Sequence, residues 1–566
     1  MNWMSATLFR WWLFTILLTG MVCSAGCGAS TNLESNASPG VGTGGTGVAK
    51  IDVTDAASVR LAHVYVTVTG VAFHADAKAA FSASGTGWQT FQFNTPQTVD
   101  LAALSNGITY ADQHNGASLF NGVQLPVGTY HQLRLFLASS EEAYRGTITG
   151  LTYNNEVIVT GDPTEYPLRV PSPDGGIRIT PDAAITVTSN GEVSVTVDFN
   201  LADDVVLVYP NGTSEPPEYV LKPRLGYFNM KRVGAVKGNI GFTNISTSSV
   251  EVKAEQVDTV LGTRVVRRAT TVNKSDPQFK LYPLPIFGDA TTARYDLVVR
   301  GRNVQTAIIK GVIVHRGTKT VNAVDLGTIT LQQGGQFSVK LAAEVHPTGA
   351  WLTFYQTIAG DPIPYELRYR HLDPYTGTFG SALGLSAEPL QVASYSPGVT
   401  PRFSPDSTSQ GTFTMVMNAG SLYAQGAPVP ILRGKAGQSI PLIVPQESWP
   451  QPVSGTSPGS ITCQFNRGQM GSGSSNINKG QLFITNGGMI IDSLVTANVT
   501  GSIGKAMAAG GGANNPITIS NLPSGVEGAM YNVFALGWGK GVLMGGTMRD
   551  VDLTRGGNVT AVIPMY

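Results

Sequence analysis

The sequence predicts an all-β protein made of several consecutive antiparallel β-sandwich domains, immunoglobulin-like or prealbumin-like. Three observations predict this fold class: apolar and polar residues alternate along many segments after Ile51, Gly (67) and Pro (33) are abundant, and charged residues make up only 13% of the chain. Alternation is the pattern of a strand with one buried face, and frequent turn residues separate short strands in sandwiches. At roughly 100–200 residues per domain, the 566 residues leave room for about three to five domains.

The charge balance excludes one class of partner. The 37 Lys and Arg residues match 37 Asp and Glu residues, so the formal net charge is +0. A domain that binds nucleic acid through bulk charge would carry a basic excess. We therefore expect no nucleic-acid partner.

Residues 1–26 are predicted to be a signal peptide. Arg10 precedes an apolar run at 11–22, and Ser24-Ala25-Gly26 comes directly before Cys27. About 12 apolar residues suit the core of a signal peptide and are short for a membrane span. The segment resembles the lipobox of bacterial lipoproteins, which implies cleavage before Cys27 and a lipid on its thiol. Cys23 is the alternative attachment residue, but it follows the bulkier Val22.

The lipoprotein resemblance also implies a location. The partner that the resemblance implies for the protein is the membrane, which the protein reaches through the acyl anchor on Cys27. Gly28, rather than an Asp, follows the cysteine, which by analogy with lipoprotein sorting indicates the outer membrane of a Gram-negative cell envelope. After cleavage Cys463 is the other cysteine, so no intramolecular disulfide is predicted, and we expect Cys463 to be a buried strand residue.

The rest of the chain is divided by composition and pattern. Residues 27–47 are small and polar and predict a flexible tether. The predicted β-domains that follow are 48–232, 233–335, 336–445 and 446–566, the third ending at the Pro-rich segment 445–452.

Local patterns give more detailed predictions. Val250, Val252 and Ala254 alternate with Glu251, Lys253 and Glu255, which predicts a strand with one face in the core and one in water. Asn190-Gly191 predicts a tight hairpin between the strands at 184–188 and 193–199. Asn486-Gly487-Gly488 predicts a second hairpin, between 482–484 and 489–491.

A Leu-Pro pair followed by a Gly-containing loop and a Tyr occurs three times. The copies are Leu125-Pro126 with Tyr130, Leu284-Pro285 with Tyr295, and Leu522-Pro523 with Tyr531. In each, Pro ends one strand and Tyr opens the next. We interpret this as a similar corner in three separate sandwich domains.

Two resemblances cover the first half of the chain. Residues 48–232 resemble the bacterial family called domain of unknown function 4382, which implies a secreted, often lipid-anchored β-domain with no assigned activity. The matching pieces are Val53–Ala56, His63–Val71, Gly87-Trp88, Val99–Leu104, Leu125–Tyr130 with Arg134, and Leu221–Pro223. Residues 233–332 resemble the prealbumin-like, carboxypeptidase-regulatory type of sandwich, which implies a binding or spacer module.

No catalytic site is predicted. The segment 455–459 has the G-x-S-x-G spacing of a hydrolase nucleophile elbow, with Ser457 at its centre. In that elbow the residue after Ser donates its backbone N–H to the oxyanion, but Pro458 has none, and no His follows Ser457. We therefore predict a flexible loop here and a protein that is not an enzyme.

No metal or cofactor is predicted either. The seven histidines form no H-x-x-x-H or H-x-H pair, the spacing typical of zinc sites. Calcium sites can draw oxygens from distant loops, so the acids Asp52, Asp55, Asp203 and Asp204 are considered. We interpret them as turn or edge acids.

Three functional hypotheses follow. The first is a non-enzymatic, lipid-anchored envelope protein that presents a row of β-sandwich domains for adhesion or for binding a glycan or protein ligand. The second is a structural spacer or assembly component of the envelope, and the third is a hydrolase within 336–566. A glycan could stack on a platform of exposed aromatic rings, or the same aromatic residues could be ordinary members of strands. The residues are Trp351, Tyr355, Tyr365, Tyr369 and Tyr375.

Overall fold

The computed structural model of the protein describes residues 33–37, 44–56, 60–82, 85–179, 181, 184–208, 218–223, 225–258, 262–406, 411–466, 479–496, 516–539 and 542–565. Nearly all regular structure in these residues is β, and most strand pairs are antiparallel, which confirms the predicted fold class. Four regions follow one another along the chain, and each has its own apolar core. Among the described residues, no helix has the length and apolar character needed to cross a membrane.

Region 1 (residues 33–232) is built around a nine-stranded and a four-stranded sheet. Its strands are β1 (Leu33–Ala37), β2 (Thr46–Ala56), β3 (Leu61–His74), β4 (Gln89–Asp100), β5 (Phe120–Pro126), β6 (Gly128–Tyr130), β7 (Gln132–Leu137), β8 (Glu156–Val159), β9 (Asp162–Arg169), β10 (Ile177–Ile179), β11 (Ile185–Val187), β12 (Glu192–Asn200), β13 (Val205–Val208), β14 (Glu218–Leu221) and β15 (Gly226–Asn229). Short helical turns are α1 (Tyr110–Gln113) and α2 (Leu201–Asp204), with 3₁₀ turns at Leu101–Leu104 and Met230–Arg232.

The predicted hairpin at Asn190 is wrong. The turn itself forms, with Asn190 at φ 54° and the Gly191 N–H donating to the Thr188 carbonyl at 3.0 Å. However, β11 pairs with β6, whereas β12 pairs with β15 and, in parallel, with β2. The edge that β12 would have offered to β11 is taken by β2, because the Val48 N–H donates to Gly191 and the Asn190 N–H donates to Thr46.

The predicted tether also differs from the structure. Within 27–47, β1 pairs with β4, and β2 begins at Thr46. Backbone pairing needs no large side chain, so a small, polar segment can still add a strand to a sheet.

Regions 2, 3 and 4 share one seven-stranded topology. The strands of region 2 are β16 (Val233–Gly241), β17 (Ser249–Val257), β18 (Arg264–Asn273), β19 (Gln278–Pro285), β20 (Thr292–Gly301), β21 (Ala307–His315) and β22 (Val324–Thr330). The strands of region 4 are β34 (Ser457–Asn466), β35 (Lys479–Asn486), β36 (Met489–Thr496), β37 (Ile517–Ser524), β38 (Met530–Gly539), β39 (Val542–Asp552) and β40 (Asn558–Pro564). In both, the fourth, first and seventh strands form one sheet in that order, and the third, second, fifth and sixth form the other.

Region 3 repeats this topology with insertions. Its strands are β23 (Gln336–Leu341), β24 (Trp351–Ile358), β25 (Asp361–His371), β26 (Leu383–Ser386), β27 (Gln391–Ser394), β28 (Ser404–Pro405), β29 (Thr412–Asn418), β30 (Tyr423–Ala424), β31 (Val429–Leu432), β32 (Ser439–Leu442) and β33 (Gln451–Pro452), with a 3₁₀ turn at Gln446–Ser448. Without β27, β28, β30 and β33, the sheets are β26-β23-β32 and β25-β24-β29-β31, the same two orders.

The inserted strands tie region 3 to its neighbour. β27 pairs in parallel with β21, and β28 pairs with β27, so two strands of region 3 extend a sheet of region 2. Region 3 also continues past the predicted limit at 445, because Trp449 packs on its core and β33 pairs with β30.

The three predicted corners form. The hydroxyl of Tyr130 donates to the Pro126 carbonyl at 2.9 Å, Tyr295 to Pro285 at 2.5 Å, and Tyr531 to Pro523 at 2.6 Å. Tyr295 and Tyr531 are fully buried. The hydrogen bonds of Tyr295 and Tyr531 join the end of one strand to the first half of the next, while Tyr130 is the last residue of the short strand β6. The hairpin at Asn486 is confirmed as well, with β35 paired to β36 across Gly487 at φ 60°.

The regions do not form a row, which corrects the arrangement in the first hypothesis. Region 4 packs back on region 1 through an apolar cluster formed by Val208 and Val220 on one side and Phe483, Ile490, Phe534 and Leu536 on the other. The Arg178 N–H donates to the Gly487 carbonyl at 2.9 Å, and Gln481 Nε2 donates to Glu218 at 2.6 Å. A strand whose sequence predicts a polar outer face can still contact another region, because the alternation of apolar and polar residues does not specify what covers each face.

We expect Tyr531→Phe to lower the free energy of unfolding by about 1–3 kcal/mol, because the buried Pro523 carbonyl loses its donor while the ring stays in place. Urea unfolding at neutral pH measures the change. Tyr395→Phe is the matched control, since Tyr395 packs at the edge of the region 2 core. Removal of its hydroxyl group should change the free energy of unfolding by less than about 0.5 kcal/mol. Equal stability of Tyr531→Phe and the parent chain would contradict the structural role of the corner.

Candidate functional site

The polar face of β17 is buried rather than exposed to water. Glu251, Lys253 and Glu255 are only 8%, 2% and 0% exposed. Val250, Val252 and Ala254 lie in the core of region 2, as predicted. The predicted water-facing side instead packs against β25 of region 3, which presents Glu366 and Arg368. The two regions therefore meet across a layer of charged side chains.

Two ion pairs lie in this layer. Lys253 Nζ lies 3.1 Å from Glu366 Oε1, with both side chains almost fully buried. Glu251 and Arg300 are opposite each other on β17 and β20, and Arg300 Nε lies 2.5 Å from Glu251 Oε2. Removing one partner of such a pair leaves an uncompensated buried charge, which typically destabilises by about 3–5 kcal/mol.

Glu255 is the acid in this layer whose ionised form is disfavoured. Its side chain is fully buried and accepts the backbone N–H of Glu366 at 3.3 Å. Burial, followed by the negative charge of Glu366, raises the pKa of Glu255 well above its ordinary value. Lys253 opposes this shift only in part.

A second ionic contact joins regions 2 and 3 near the other end of β25. The Arg264 guanidinium lies 2.9 Å from Asp296 and 2.7 Å from Asp361, and stacks 3.6 Å from the Tyr365 ring centroid. The Tyr365 hydroxyl donates to Asp361 at 2.9 Å. Although burial opposes the shift, the hydrogen bonds from Arg264 and Tyr365 lower the pKa of Asp361 to about 2.

Region 1 is joined to region 2 by another buried arginine. Arg268 of β18 is 1% exposed, forms an ion pair with Asp198, and donates to the Asp55 carbonyl at 2.6 Å and to Thr54 Oγ1 at 3.1 Å. Asn106 adds a second contact, accepting from the Lys280 N–H at 2.6 Å. Regions 1, 2 and 3 therefore meet at one junction.

Two clefts open at this junction. The smaller, about 230 Å³, is lined by acids and bases that largely offset one another, among them Asp198, Lys253, Arg268 and Glu366. The larger, about 670 Å³, we call the arginine cleft. Its lining contains five arginines, namely Arg60, Arg300, Arg302, Arg368 and Arg370, and two acids, Asp203 and Glu251.

The arginine cleft exists only when three regions assemble. Arg60 and Asp203 come from region 1, Arg300 and Arg302 from β20 and the loop after it, and Arg368 and Arg370 from one face of β25. Because strand side chains repeat every two residues on a face, Arg368 and Arg370 point to the same side. Burial, then the charges of Arg300 and Arg370, lowers the pKa of Arg368 to about 9.

Two of the four acids considered as calcium ligands lie elsewhere than predicted. Asp52 and Asp55 lie in β2, an interior strand of its sheet, so they are neither turn nor edge acids, whereas Asp203 and Asp204 lie in the helical turn α2, as predicted. Asp52, Asp55 and Asp204 are 4%, 0% and 0% exposed. Asp52 accepts from the Ala111 N–H, and Asp55 accepts from the Leu201 N–H at 3.0 Å. Asp204 accepts from the Asn200 N–H at 2.9 Å. They serve as acceptors for buried backbone donors, which the sequence pattern alone does not reveal.

Two of the five residues considered for an aromatic platform are buried. Tyr365 and Tyr369 are 0% and 3% exposed and belong to the packed interior. The Tyr369 hydroxyl and His371 Nε2 share a hydrogen bond of 2.7 Å. The ring centroids of Trp351 and His371 are 5.9 Å apart. Buried rings cannot stack on a sugar, so the alternative interpretation, ordinary strand aromatics, applies to Tyr365 and Tyr369.

The second half of the G-x-S-x-G segment is a strand rather than a loop, while Gly455 lies in the turn before it. Ser457, Pro458 and Gly459 begin β34 and pair with β37, because Ser524 and Leu522 lie opposite. Ser457 Oγ contacts only a second hydroxyl among its described neighbours, Ser524 Oγ at 3.3 Å. An extended strand does not provide the sharp turn that exposes an elbow nucleophile.

Two further predictions concern cysteines. Cys463 is fully buried in β34, as predicted, and burial raises the pKa of its thiol to about 12. Cys27, the predicted lipid attachment residue, lies outside the described residues. Within the described residues, no three His, Cys, Asp or Glu side chains are grouped in a way that could hold a metal ion.

The comparison with protein families gives one match. Residues 46–223 match the family described as Domain of unknown function (DUF4382). This agrees with the resemblance seen in the sequence of region 1, and it assigns no activity. No curated protein matches the chain.

Three of the solved structures that match have low similarity to this chain. The Bacillus anthracis TIE protein is 9% identical, with 94% of this chain and 74% of that chain covered and a TM-score of 0.15. Shaft pilin SpaA from Lactobacillus rhamnosus GG is 10% identical, with 41% and 98% covered and a TM-score of 0.16. Two B repeat units of the collagen binding protein of Staphylococcus aureus are 9% identical, with 92% and 99% covered and a TM-score of 0.13. Scores this low carry no information on function.

We expect Glu255→Gln to raise the free energy of unfolding at pH 7. Because the pKa of Glu255 is raised in the folded state, the folded chain binds more protons at this position than the unfolded chain does above the ordinary pKa of about 4.3. Stability is therefore lost as the pH rises above that value, and a glutamine, which fits the same space and does not titrate, avoids the loss. The gain should shrink towards zero near pH 4, as measured by urea unfolding across pH 4–8.

The control for this experiment is Glu344→Gln, because Glu344 is exposed. It should leave the pH profile of the parent chain unchanged. If Glu255→Gln is instead less stable than the parent at pH 7, Glu255 is ionised in the folded protein and its raised pKa is wrong.

Proposed function

We propose that the protein is a non-enzymatic, lipid-anchored cell-envelope protein that uses its β-sandwich regions to bind a ligand. The observation that carries the binding role is the arginine cleft, in which three regions contribute side chains to one open, polar concavity. Clefts of about 300–1,000 Å³ at domain junctions are typical binding sites.

The chemistry around the cleft supports binding rather than catalysis. A nucleophile needs an adjacent base, and general acid–base catalysis needs a group that can gain and lose a proton near neutral pH. The lining of the arginine cleft is guanidinium, amide, hydroxyl and aromatic, with Asp203 and Glu251 as its acids. Of these two acids, Glu251 is already engaged by Arg300. Arginine is well suited to holding anions and poorly suited to proton transfer.

The anchor is proposed from the sequence around Cys27. A thioether-linked lipid there would hold the folded regions at a membrane surface, and the outer membrane of a Gram-negative envelope is the proposed site. Such attachment needs no membrane-spanning helix, since acyl chains alone supply the apolar contact with the bilayer.

Cys27→Ala is expected to release the protein from membranes. In cell fractionation the parent chain should sediment with the envelope and partition into detergent, while the variant, which cannot form the thioether, should be soluble. Cys23→Ala is the matched control and should stay with the membrane. Membrane retention of Cys27→Ala would contradict the anchor at this residue.

The binding role predicts a saturable ligand. The soluble Cys27→Ala chain, applied to a glycan array and to an envelope extract, should retain a defined glycan or protein. Retention should be lost after thermal unfolding. A folded chain that retains nothing in either assay would favour the spacer or assembly role and would contradict the binding role.

A further inference from the structure

The arginine cleft carries an unusual concentration of positive charge for this chain. Five guanidinium groups face two carboxylates in one cleft, although the whole chain has a formal net charge of +0. Burial raises the pKa of Asp203, with the Glu251 charge adding to the shift, so one of the two acids holds its negative charge less strongly than usual. The cleft therefore has a local excess of positive charge.

Part of this charge is already used within the protein. Arg300 pairs with Glu251, and Arg368 Nη1 donates to the Gly384 carbonyl at 2.9 Å. By contrast, the guanidinium groups of Arg302 and Arg370 form no hydrogen bond or ion pair with any residue that the structure describes. Arg302 is exposed and Arg370 is half-buried. These two guanidiniums keep their donors available to a ligand.

Like charges gathered in one cleft repel one another. Burial first, and then Arg60, lowers the pKa of Arg370, and Arg370 in turn lowers that of Arg368. A bound anion would relieve this repulsion and accept the free N–H donors in paired hydrogen bonds. Guanidinium forks match carboxylate and phosphate groups in this way.

The remaining lining indicates what the rest of the ligand resembles. Asn303, Gln336, Ser338 and Gln438 surround the arginines with amide and hydroxyl groups. Phe337, the apolar ring at the cleft, is 1% exposed, so it offers almost no apolar surface to an acyl chain. Tyr369 is also buried, so it cannot stack on a nucleobase. Amides and hydroxyls do suit the hydroxyl groups of a sugar.

Resting on the proposed binding function, we propose that the arginine cleft binds an acidic saccharide. Arg302 and Arg370 hold carboxylate groups of the ligand, while the neighbouring amides and hydroxyls contact its sugar hydroxyls. The volume of about 670 Å³ is large enough for more than one anionic group at once. Because the site is assembled from three regions, binding also holds regions 1, 2 and 3 together.

The test uses fluorescently labelled oligogalacturonate, a carboxylated sugar chain, with the soluble Cys27→Ala protein. We expect saturable binding by fluorescence anisotropy. The double variant Arg302→Gln/Arg370→Gln should raise the Kd at least about tenfold, because two charge-assisted contacts are lost. Raising the salt concentration should weaken binding to the parent chain more than to this variant.

A matched control carries the same change of charge away from the cleft. Arg402→Gln/Arg555→Gln replaces two exposed arginines that do not line the cleft and should leave the Kd unchanged. Arg302→Lys/Arg370→Lys keeps the charge but loses the fork geometry, so its Kd should lie between those of the parent and the glutamine variant. Thermal unfolding of each variant verifies that it is folded.

Three results would overturn the inference. The first is a cleft variant that binds oligogalacturonate as tightly as the parent. The second is a neutral maltooligosaccharide that binds as tightly as the acidic one. The third is polyphosphate or a single-stranded oligonucleotide that binds as tightly as oligogalacturonate, which would make the cleft a general anion site.

The failure of this inference can be told apart from that of the proposed function. If the glycan array and the envelope extract yield a ligand whose retention survives Arg302→Gln/Arg370→Gln, binding occurs elsewhere on the protein and only the cleft assignment is wrong. If the folded chain retains nothing in either assay and does not bind oligogalacturonate, both are wrong.

Discussion

The arrangement of this protein depends on the burial of charged side chains between β17 and β25. Taking Lys253, Glu251 and Glu366 out of water is unfavourable by several kcal/mol per ion unless each finds a well-placed partner. The Lys253–Glu366 pair meets that condition only in one relative position of regions 2 and 3, whereas Glu251 and Arg300 pair within region 2. An apolar interface tolerates small displacements, whereas a shift of this layer would leave unpaired charges. The ionic layer thus fixes where the walls of the arginine cleft lie.

Strand pairing between the regions adds to this constraint. In the shared seven-stranded topology the sixth strand is an edge, and an uncovered edge exposes unpaired backbone groups. In region 2 that edge, β21, is covered by β27 from region 3, with the Gln391 N–H donating to Thr306 and the Tyr395 N–H donating to Lys310. The same insertion stands between the fourth and fifth strands of region 3, where regions 2 and 4 have a Leu-Pro corner. In region 3 the inserted strands β27 and β28 therefore occupy the place of the corner, and they extend the sheet of region 2.

The sequence predicted the parts of the fold that depend on local contacts. Alternation at Val250, Val252 and Ala254 places a core face correctly, because burial of that face is decided within one sandwich. The Tyr corners were likewise visible, because Tyr531 and Pro523 lie only eight residues apart. The burial of Glu251, Lys253 and Glu255 could not be predicted from the sequence. A strand that faces water and a strand that faces charged residues of another region have the same alternation of apolar and polar residues. Arg60, Arg300 and Arg370 are far apart in sequence, so no spacing could bring them into one predicted site.

The same junction contains two acids that respond to pH in opposite ways. Asp361 has its pKa lowered to about 2, so its pairing with Arg264 stabilises the fold above its ordinary value near 3.9 and is lost as the pH falls from there. Glu255 has its pKa raised by burial, so it weakens the fold as the pH rises above about 4.3 and has no such effect below it. Acid therefore loosens the contact at Arg264 while it relieves the contact at Glu255. Both groups lie between regions 2 and 3, but they respond in different pH ranges: acidification to about pH 4.3 removes the penalty at Glu255, whereas the Asp361–Arg264 contact weakens only below about pH 3.9.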